Sequence, residues 1–83
     1  MINQIKYFIA ENKKTYNNLI ANGTDKSYLD YIIKSDLNYS ISDYDNFNVE
    51  EMTAEQLETL HDNLMRDFED LNVIEEATLS AEE

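Results

Sequence analysis

The first third of the chain carries apolar residues at the spacing of an amphipathic helix. They recur three and four positions apart, which places them on one face of a helix; they are Ile5, Phe8, Ile9, Tyr16, Leu19 and Ile20. Asn3 is a candidate N-cap. Asn22-Gly23 is a C-terminal signal, because glycine adopts the left-handed conformation without a steric penalty. The pattern predicts a helix that stops at this pair.

A second, shorter helix follows. Thr24 or Ser27 is its candidate cap, and the pattern ends near Asp36. The apolar positions that predict its buried stripe are Tyr28, Leu29, Ile32 and Ile33. The single glycine of the chain lies between these two helices, so residues 1–35 predict a helical hairpin.

Residues 36–49 form a polar and aromatic connector. Leu37, Tyr39 and Ile41 alternate with Asn and Ser, a short period of two that is typical of a strand. No other segment offers this strand a convincing partner. We therefore expect an irregular segment whose aromatic residues pack on the helices, with one short strand near residues 37–41 as the alternative.

The third helix, residues 50–72, has the clearest signals. Thr53-Ala-Glu-Gln is a capping box, in which Gln56 reaches back to the amide of the cap residue. The apolar stripe that follows consists of Leu57, Leu60, Leu64, Phe68 and Leu71. We expect this helix to end at about residues 70–72. The tail, residues 73–83, either extends it or frays, and it retains Ile74 and Leu79.

These elements predict an all-α fold in a single small domain, residues 1–83. Its architecture is a helical hairpin followed by a longer acidic helix, three helices in all. An α+β fold is the alternative if residues 37–41 pair as a strand.

The charge of the chain is large and unevenly distributed. The 83 residues carry a net charge of −12. Residues 1–35 hold five lysines against three acidic residues, a net charge of +2, whereas residues 36–83 hold one arginine against 15 acidic residues, a net charge of −14. Self-repulsion of this size lowers stability, so we expect the acidity of the second half to serve a function.

The sequence lacks the patterns of catalytic and metal-binding sites. It has no cysteine, and His61 has no residues at the spacing of a catalytic triad; we expect this histidine to lie partly buried at the edge of the apolar stripe. Calcium-loop registers that start at Asp36 or Asp43 place Phe47 or Ala54 at the twelfth position, where a glutamate is needed. We therefore predict a non-enzymatic protein without metal or cofactor.

The apolar segments of the chain have neither the pattern of a signal peptide nor the length of a membrane span, and this bears on the expected cellular location. Lys6 and Glu11 interrupt the apolar N-terminal segment, unlike the core of a signal peptide. No apolar stretch approaches the ~20 residues of a membrane span. We expect a cytoplasmic protein, in the host cytoplasm if it is encoded by a phage, and either a monomer or a homodimer.

A row of carboxylates on the third helix is the candidate binding site. Glu51, Glu55, Glu58 and Asp62 follow one another at spacings of four, three and four residues, on the face away from the leucines. Glu69 continues the row beyond Arg66, flanked by Asp67 and Asp70. Asp43, Tyr44 and Asp45 of the connector are candidates for the rim of the same surface.

The row is either a solvated helix face or an interaction surface, and as an interaction surface it predicts a partner with a basic surface, a nucleic-acid-binding protein or nuclease. A solvated helix face ordinarily mixes charges of both signs, because like charges three or four residues apart destabilise a helix. Nucleic acid is not expected to bind directly, since its phosphates would be repelled.

The charge layout of residues 36–83 resembles that of the DNA-mimicking inhibitors encoded by phages and mobile elements. The resemblance implies an anti-CRISPR or anti-restriction type of activity, in which the protein blocks the basic nucleic-acid-binding surface of a host defence or DNA-processing protein. The lysine-bearing first half departs from the uniformly acidic examples. The alternative is a helical adaptor, an antitoxin or a self-associating module that uses the apolar face of the third helix.

Overall fold

The computed structural model describes the backbone of residues 1–81 and the side chains of residues 1–78. Within that range the chain forms three α-helices and two short 3₁₀ helices, and no strand. The α-helices are α1 (Ile2–Ala21), α2 (Lys26–Asp36) and α3 (Ala54–Ala81), and the 3₁₀ helices are Ile41–Asn46 and Val49–Glu51. The predicted all-α fold, a helical hairpin followed by a longer acidic helix, is confirmed.

The start of α1 differs from the prediction. The helix begins at Ile2, and the carbonyl of Met1 accepts the first hydrogen bond, from the amide of Ile5 at 3.0 Å. The proposed N-cap Asn3 is therefore wrong, because this residue already lies in the first turn. No side-chain oxygen caps the helix at this end.

The end of α1 is where the Asn-Gly pair predicts it. The Thr24 amide donates to the carbonyl of Leu19 at 2.9 Å, and the Gly23 amide donates to that of Ile20 at 3.0 Å. This pair of bonds is a Schellman motif, which requires a left-handed residue after the helix. Gly23 supplies it with a φ of 101°.

Asp25 caps α2, so the predicted caps Thr24 and Ser27 are wrong. The Asp25 carboxylate accepts a hydrogen bond from the Ser27 amide at 3.0 Å, and the Asp25 backbone is extended, as an N-cap requires. Thr24 cannot take this role because its backbone closes α1.

The buried stripe of α2 is narrower than predicted. Leu29 and Ile33, one turn apart, are buried, and Ile32 is half-buried. Tyr28 was predicted in the stripe, but 62% of it is exposed. The reason is geometric, because neighbouring residues point about 100° apart around a helix, and Leu29 defines the side that faces the core.

α1 and α3 lie side by side and run in the same direction. Ile5, near the start of α1, shares one core cluster with Leu60 and Leu64. Leu19, near the end of α1, shares a second cluster with Leu71. Two other segments pack against this helix pair. Tyr44 and Val49 of the 3₁₀ helices complete the first cluster, and the buried stripe of α2 completes the second.

The capping box of α3 is confirmed; the expected end at about residues 70–72 is wrong, and the alternative that the tail extends the helix is confirmed as far as Ala81. The Thr53 amide donates to Gln56 Oε1 at 2.9 Å, and the Gln56 amide donates to Thr53 Oγ1 at 3.2 Å. The helix does not stop at residues 70–72, because Leu71 is buried and Ile74, one turn later, packs on the same cluster. The side chain of Leu79 and residues 82–83 lie outside the described part of the chain.

The connector is irregular, and its aromatic residues pack on the helices, as expected. Tyr39 and Phe47 pack against the first core cluster, with their ring centroids 4.9 Å apart. The strand considered near residues 37–41 does not form among the described residues. The backbone amides of Asn38 and Tyr39 instead donate to a side chain of α3.

α3 determines the length of the molecule. The principal extents are 44 × 19 × 19 Å, and 28 helical residues span about 42 Å. One face of α3 can therefore present side chains along the whole long axis. Among the helices described, none has the length and apolar character that a membrane span requires.

Candidate binding surface

Carboxylates follow one another along the exposed face of α3. Helical geometry places residues 55, 58, 62, 69 and 76 on the side opposite the buried leucines, and their side chains are exposed. We call Glu55, Glu58, Asp62, Glu69 and Glu76 the acidic row. From its first member to its last the row extends for about 32 Å. Four of the predicted site residues are thereby brought onto one face.

Three other predicted site residues lie outside this row. Glu51 is exposed but belongs to the second 3₁₀ helix, before α3 begins. Asp43 caps the first 3₁₀ helix, where its carboxylate accepts a hydrogen bond from the Ser40 amide at 2.9 Å. Asp45 is exposed and lies 2.7 Å from the ammonium group of Lys13. The carboxylates of Asp43 and Asp45 thus already have partners within the chain.

Tyr44 cannot contact a partner, because it is buried in the first core cluster. Its hydroxyl oxygen accepts a hydrogen bond from Asn12 Nδ2 at 3.2 Å. Burial raises the pKa of Tyr44 to about 12. The Asn12 side chain is itself fully buried, and its Oδ1 has no hydrogen-bond partner among the described residues. Tyr44 is therefore a structural residue, and the expectation that it lies at the rim of a binding surface is wrong.

Three of the five lysines pair with carboxylates elsewhere in the fold. No lysine or arginine lies within ion-pair distance of the acidic row in the described part of the chain, and the one contact found there joins His61 Nδ1 to Asp62 Oδ1 at 3.2 Å. The lysine pairs involve the connector and α2: Lys6 with Glu50 at 3.7 Å, Lys13 with Asp45 at 2.7 Å and Lys26 with Asp30 at 3.1 Å. The carboxylates of the row are therefore not paired with lysine or arginine among the described residues, although Arg66 lies on the same face, four residues after Asp62 and three before Glu69.

Asp67 was expected beside the row, and the structure buries it completely. Its carboxylate accepts the Asn38 amide at 2.9 Å, the Asn38 side-chain amide at 3.1 Å and the Tyr39 amide at 3.1 Å. Burial raises the pKa of the Asp67 carboxyl above its ordinary value, and the hydrogen bonds offset part of that rise. The sequence does place residue 67 three positions after Leu64, on the buried side, which is the signal that could have identified it.

Aromatic side chains line the junction of α1 and α3. Phe8 lies at the centre, with its ring centroid 5.3 Å from that of Phe68 and 5.6 Å from that of His61. Tyr7 lies 6.3 Å from Phe68 and is 54% exposed, and Met65 is also exposed. We call these five residues the aromatic patch.

The aromatic patch differs in part from the predicted stripe. Phe68 was expected in the core, but it is half-buried and belongs to neither core cluster. His61 is partly buried at the edge of the stripe, as expected. On α3 the patch residues lie between the buried leucines and the acidic row. The connector contacts the other flank of α3, through Asn63 and Asp67.

Comparisons with protein-family models, with curated proteins and with solved structures find no match for this chain.

An open groove of about 750 Å³ separates α2 from the first 3₁₀ helix. Its lining combines apolar side chains such as Ile33, Leu37 and Ile41 with charged ones of both signs, among them Lys34 and Asp43. This side of the molecule thus lacks the predominance of negative charge that distinguishes α3. Among the described side chains, no three His, Cys, Asp or Glu residues come together in a group able to hold a metal ion.

Proposed function

We propose that this protein is a non-enzymatic DNA mimic, whose acidic row occupies the basic nucleic-acid-binding surface of another protein. The observation that carries the proposal is an exposed row of carboxylates along one helix, with no lysine or arginine paired to it in the described part of the chain. The partner is a cytoplasmic host defence or DNA-processing protein, of the kind that anti-CRISPR and anti-restriction proteins of phages and mobile elements block.

The spacing of the row supports a basic partner. Carboxylates of the row are three, four or seven residues apart, so they recur every ~4.5–10.5 Å along α3, and phosphates of one DNA strand recur every ~3.4 Å along the helix axis. The row is therefore less dense than a DNA strand but of the same order. Arginine and lysine side chains that receive phosphates are long enough to meet carboxylates at this spacing.

The row is also rigid. The capping box fixes the start of α3, and Leu60, Leu64 and Leu71 fix the helix against α1. A partner therefore binds charges that are already in place, without the entropic cost of ordering a flexible acidic segment.

The alternative use of the apolar face is not favoured by the packing. Leu60, Leu64 and Leu71 are buried within the chain. An adaptor, an antitoxin or a self-associating module that used this face would first have to separate α3 from α1. That separation would expose the core of the protein.

Capture followed by competition tests the proposal. The immobilised protein is exposed to a bacterial lysate at low salt, and a captured nucleic-acid-binding protein is identified by mass spectrometry and purified. The chain is then titrated against a complex of that protein with a labelled DNA duplex. We expect the chain to displace the duplex. We expect Glu58→Gln with Asp62→Asn to weaken displacement by about tenfold or more, as for close charge pairs across an interface.

The matched control is Asp36→Asn with Glu50→Gln, which changes the net charge equally but lies outside the row. It should displace the duplex as well as the original chain does. Binding that is unchanged in ~0.5 M salt, where charges are screened beyond a few ångström, would contradict the proposal. So would a captured protein that binds the chain and the duplex simultaneously.

A further inference from the structure

We propose that the aromatic patch binds arginine side chains of the basic partner, so that the surface selects arginine over lysine. This inference rests on the proposed function for the charge of the partner, and it adds the class of side chain that is recognised. The patch lies between two helices, with Tyr7 and Met65 exposed and the rings of Phe8, His61 and Phe68 half-buried, and it adjoins the acidic row along α3.

The patch lies within one helical turn of carboxylates of the acidic row. Met65 lies three residues after Asp62 and four before Glu69, and His61 lies three after Glu58. Residues at these spacings are neighbours on a helix surface. A side chain that lies over the patch can therefore reach a carboxylate of the row.

Arginine fits this combination better than lysine does. The guanidinium group is planar and weakly hydrated, it stacks on aromatic rings, and it can donate two parallel hydrogen bonds to one carboxylate. The lysine ammonium is a compact and strongly hydrated charge. The row alone attracts both cations, whereas the rings beside it favour the guanidinium group.

Charge also decides against a second copy of the chain as the occupant. Each copy carries a net charge of −12, and the patch directly adjoins the acidic row. Two such faces would bring like charges together across their contact, which is unfavourable. A cationic surface meets the same carboxylates with the opposite sign.

Two peptides test the inference without the natural partner. An oligo-arginine peptide and an oligo-lysine peptide of equal length and charge are titrated into the full chain, and their dissociation constants are measured by calorimetry. We expect the arginine peptide to bind about two- to fivefold more tightly, the range of exposed cation–π contacts. Tyr7→Leu should remove most of this preference, because it removes the exposed ring of the patch, which contacts Phe68.

The control variant is Tyr31→Leu, since Tyr31 is an exposed tyrosine of α2 with 68% exposure, away from the patch. It should keep the preference, and circular dichroism should show that both variants fold. Equal affinity for the two peptides, or a preference that survives Tyr7→Leu, overturns the inference. Sedimentation that shows a dimer broken by Tyr7→Leu also overturns it, because a second copy then covers the patch.

The two proposals can fail separately. Glu58→Gln with Asp62→Asn should weaken the binding of both peptides. This loss measures the contribution of the row to affinity, and it is separate from the preference for arginine. If the chain displaces DNA from its target but binds the two peptides equally, the arginine inference fails and the proposed function stands. If the arginine preference is found but no duplex is displaced, the proposed function fails while the chemistry of the patch holds.

Discussion

At the scale of single residues, Asp67 joins the connector to α3. Its carboxylate accepts the backbone amides of Asn38 and Tyr39, directly after α2. No second strand is present among the described residues to pair with residues 37–41, and the amides of Asn38 and Tyr39 are satisfied by this side chain instead. A carboxylate inside the fold has a further consequence, because its ionisation depends on folding.

The stability of the protein should depend on pH through Asp67. Burial raises the pKa of this carboxyl in the folded state above its ordinary value, so the folded protein binds a proton there more readily than the unfolded chain does. The cost of the ionised form is present above the folded-state pKa and is relieved as pH falls through it. We expect the free energy of unfolding to rise as pH is lowered from about 7 towards the ordinary aspartate range. Urea titrations followed by circular dichroism measure it.

The control for this effect is Asp67→Asn, which removes the titrating group. The substitution also leaves the Tyr39 amide facing an NH₂ group, which cannot accept its hydrogen bond. The free energy of unfolding of the variant near neutral pH should therefore fall by about 1–3 kcal/mol. Asp70→Asn, at an exposed neighbour, should change stability by less than about 0.5 kcal/mol. The expectation is contradicted if Asp67→Asn gains as much stability on acidification as the original chain.

At the scale of secondary structure elements, the start of α3 depends on two side chains. Thr53 and Gln56 each accept the backbone amide of the other. Thr53→Ala removes one of these acceptors, and we expect a loss of about 1 kcal/mol in the free energy of unfolding. Thr53→Ser keeps the oxygen and should restore most of that loss. Thermal unfolding of the two variants measures the difference, and equal melting temperatures for Ala and Ser would show that the cap contributes nothing.

The elements that the sequence predicts correctly rest on local signals. The signals at Gly23, after the end of α1, and at Thr53, before the start of α3, depend on hydrogen bonds between residues that are only a few positions apart in the sequence. The leucine spacing of α3 predicts the buried residues Leu60, Leu64 and Leu71 for the same reason. Exposure of the acidic row follows directly, because it lies opposite those leucines.

The features that were not predicted depend on contacts between distant parts of the chain. Asp67 is buried because residues 38–39 come to it, and Tyr44 is buried because Asn12 and the first core cluster enclose it. Phe68 has the spacing of a core residue, but α1 meets it with Tyr7 and Phe8 at the surface. The spacing of apolar residues identifies which side of a helix faces the rest of the protein. It does not identify which residues of the other segments pack against that side.

At the scale of the whole molecule, the net charge should make stability depend on salt. Row carboxylates repel one another at distances within the Debye length, which falls from roughly 20 Å at ~0.02 M salt to roughly 6 Å at ~0.3 M. We expect the melting temperature to rise over this range. Glu58→Gln with Asp62→Asn should raise the melting temperature at low salt and reduce its salt dependence. Asp36→Asn with Glu50→Gln is the control of equal net charge, and a row variant that responds to salt as this control does would contradict the expectation.

The separation of the lysines from the acidic row has a consequence for how the protein approaches a partner. Lys6, Lys13 and Lys26 lie on α1 and α2, whereas the acidic row faces away from them along α3. The molecule therefore carries an electric dipole across its short axis. In the field of a cationic surface this dipole experiences a torque that turns α3 towards the surface before the two proteins touch. A larger fraction of the encounters then begins in the binding orientation, and the association rate at low ionic strength rises.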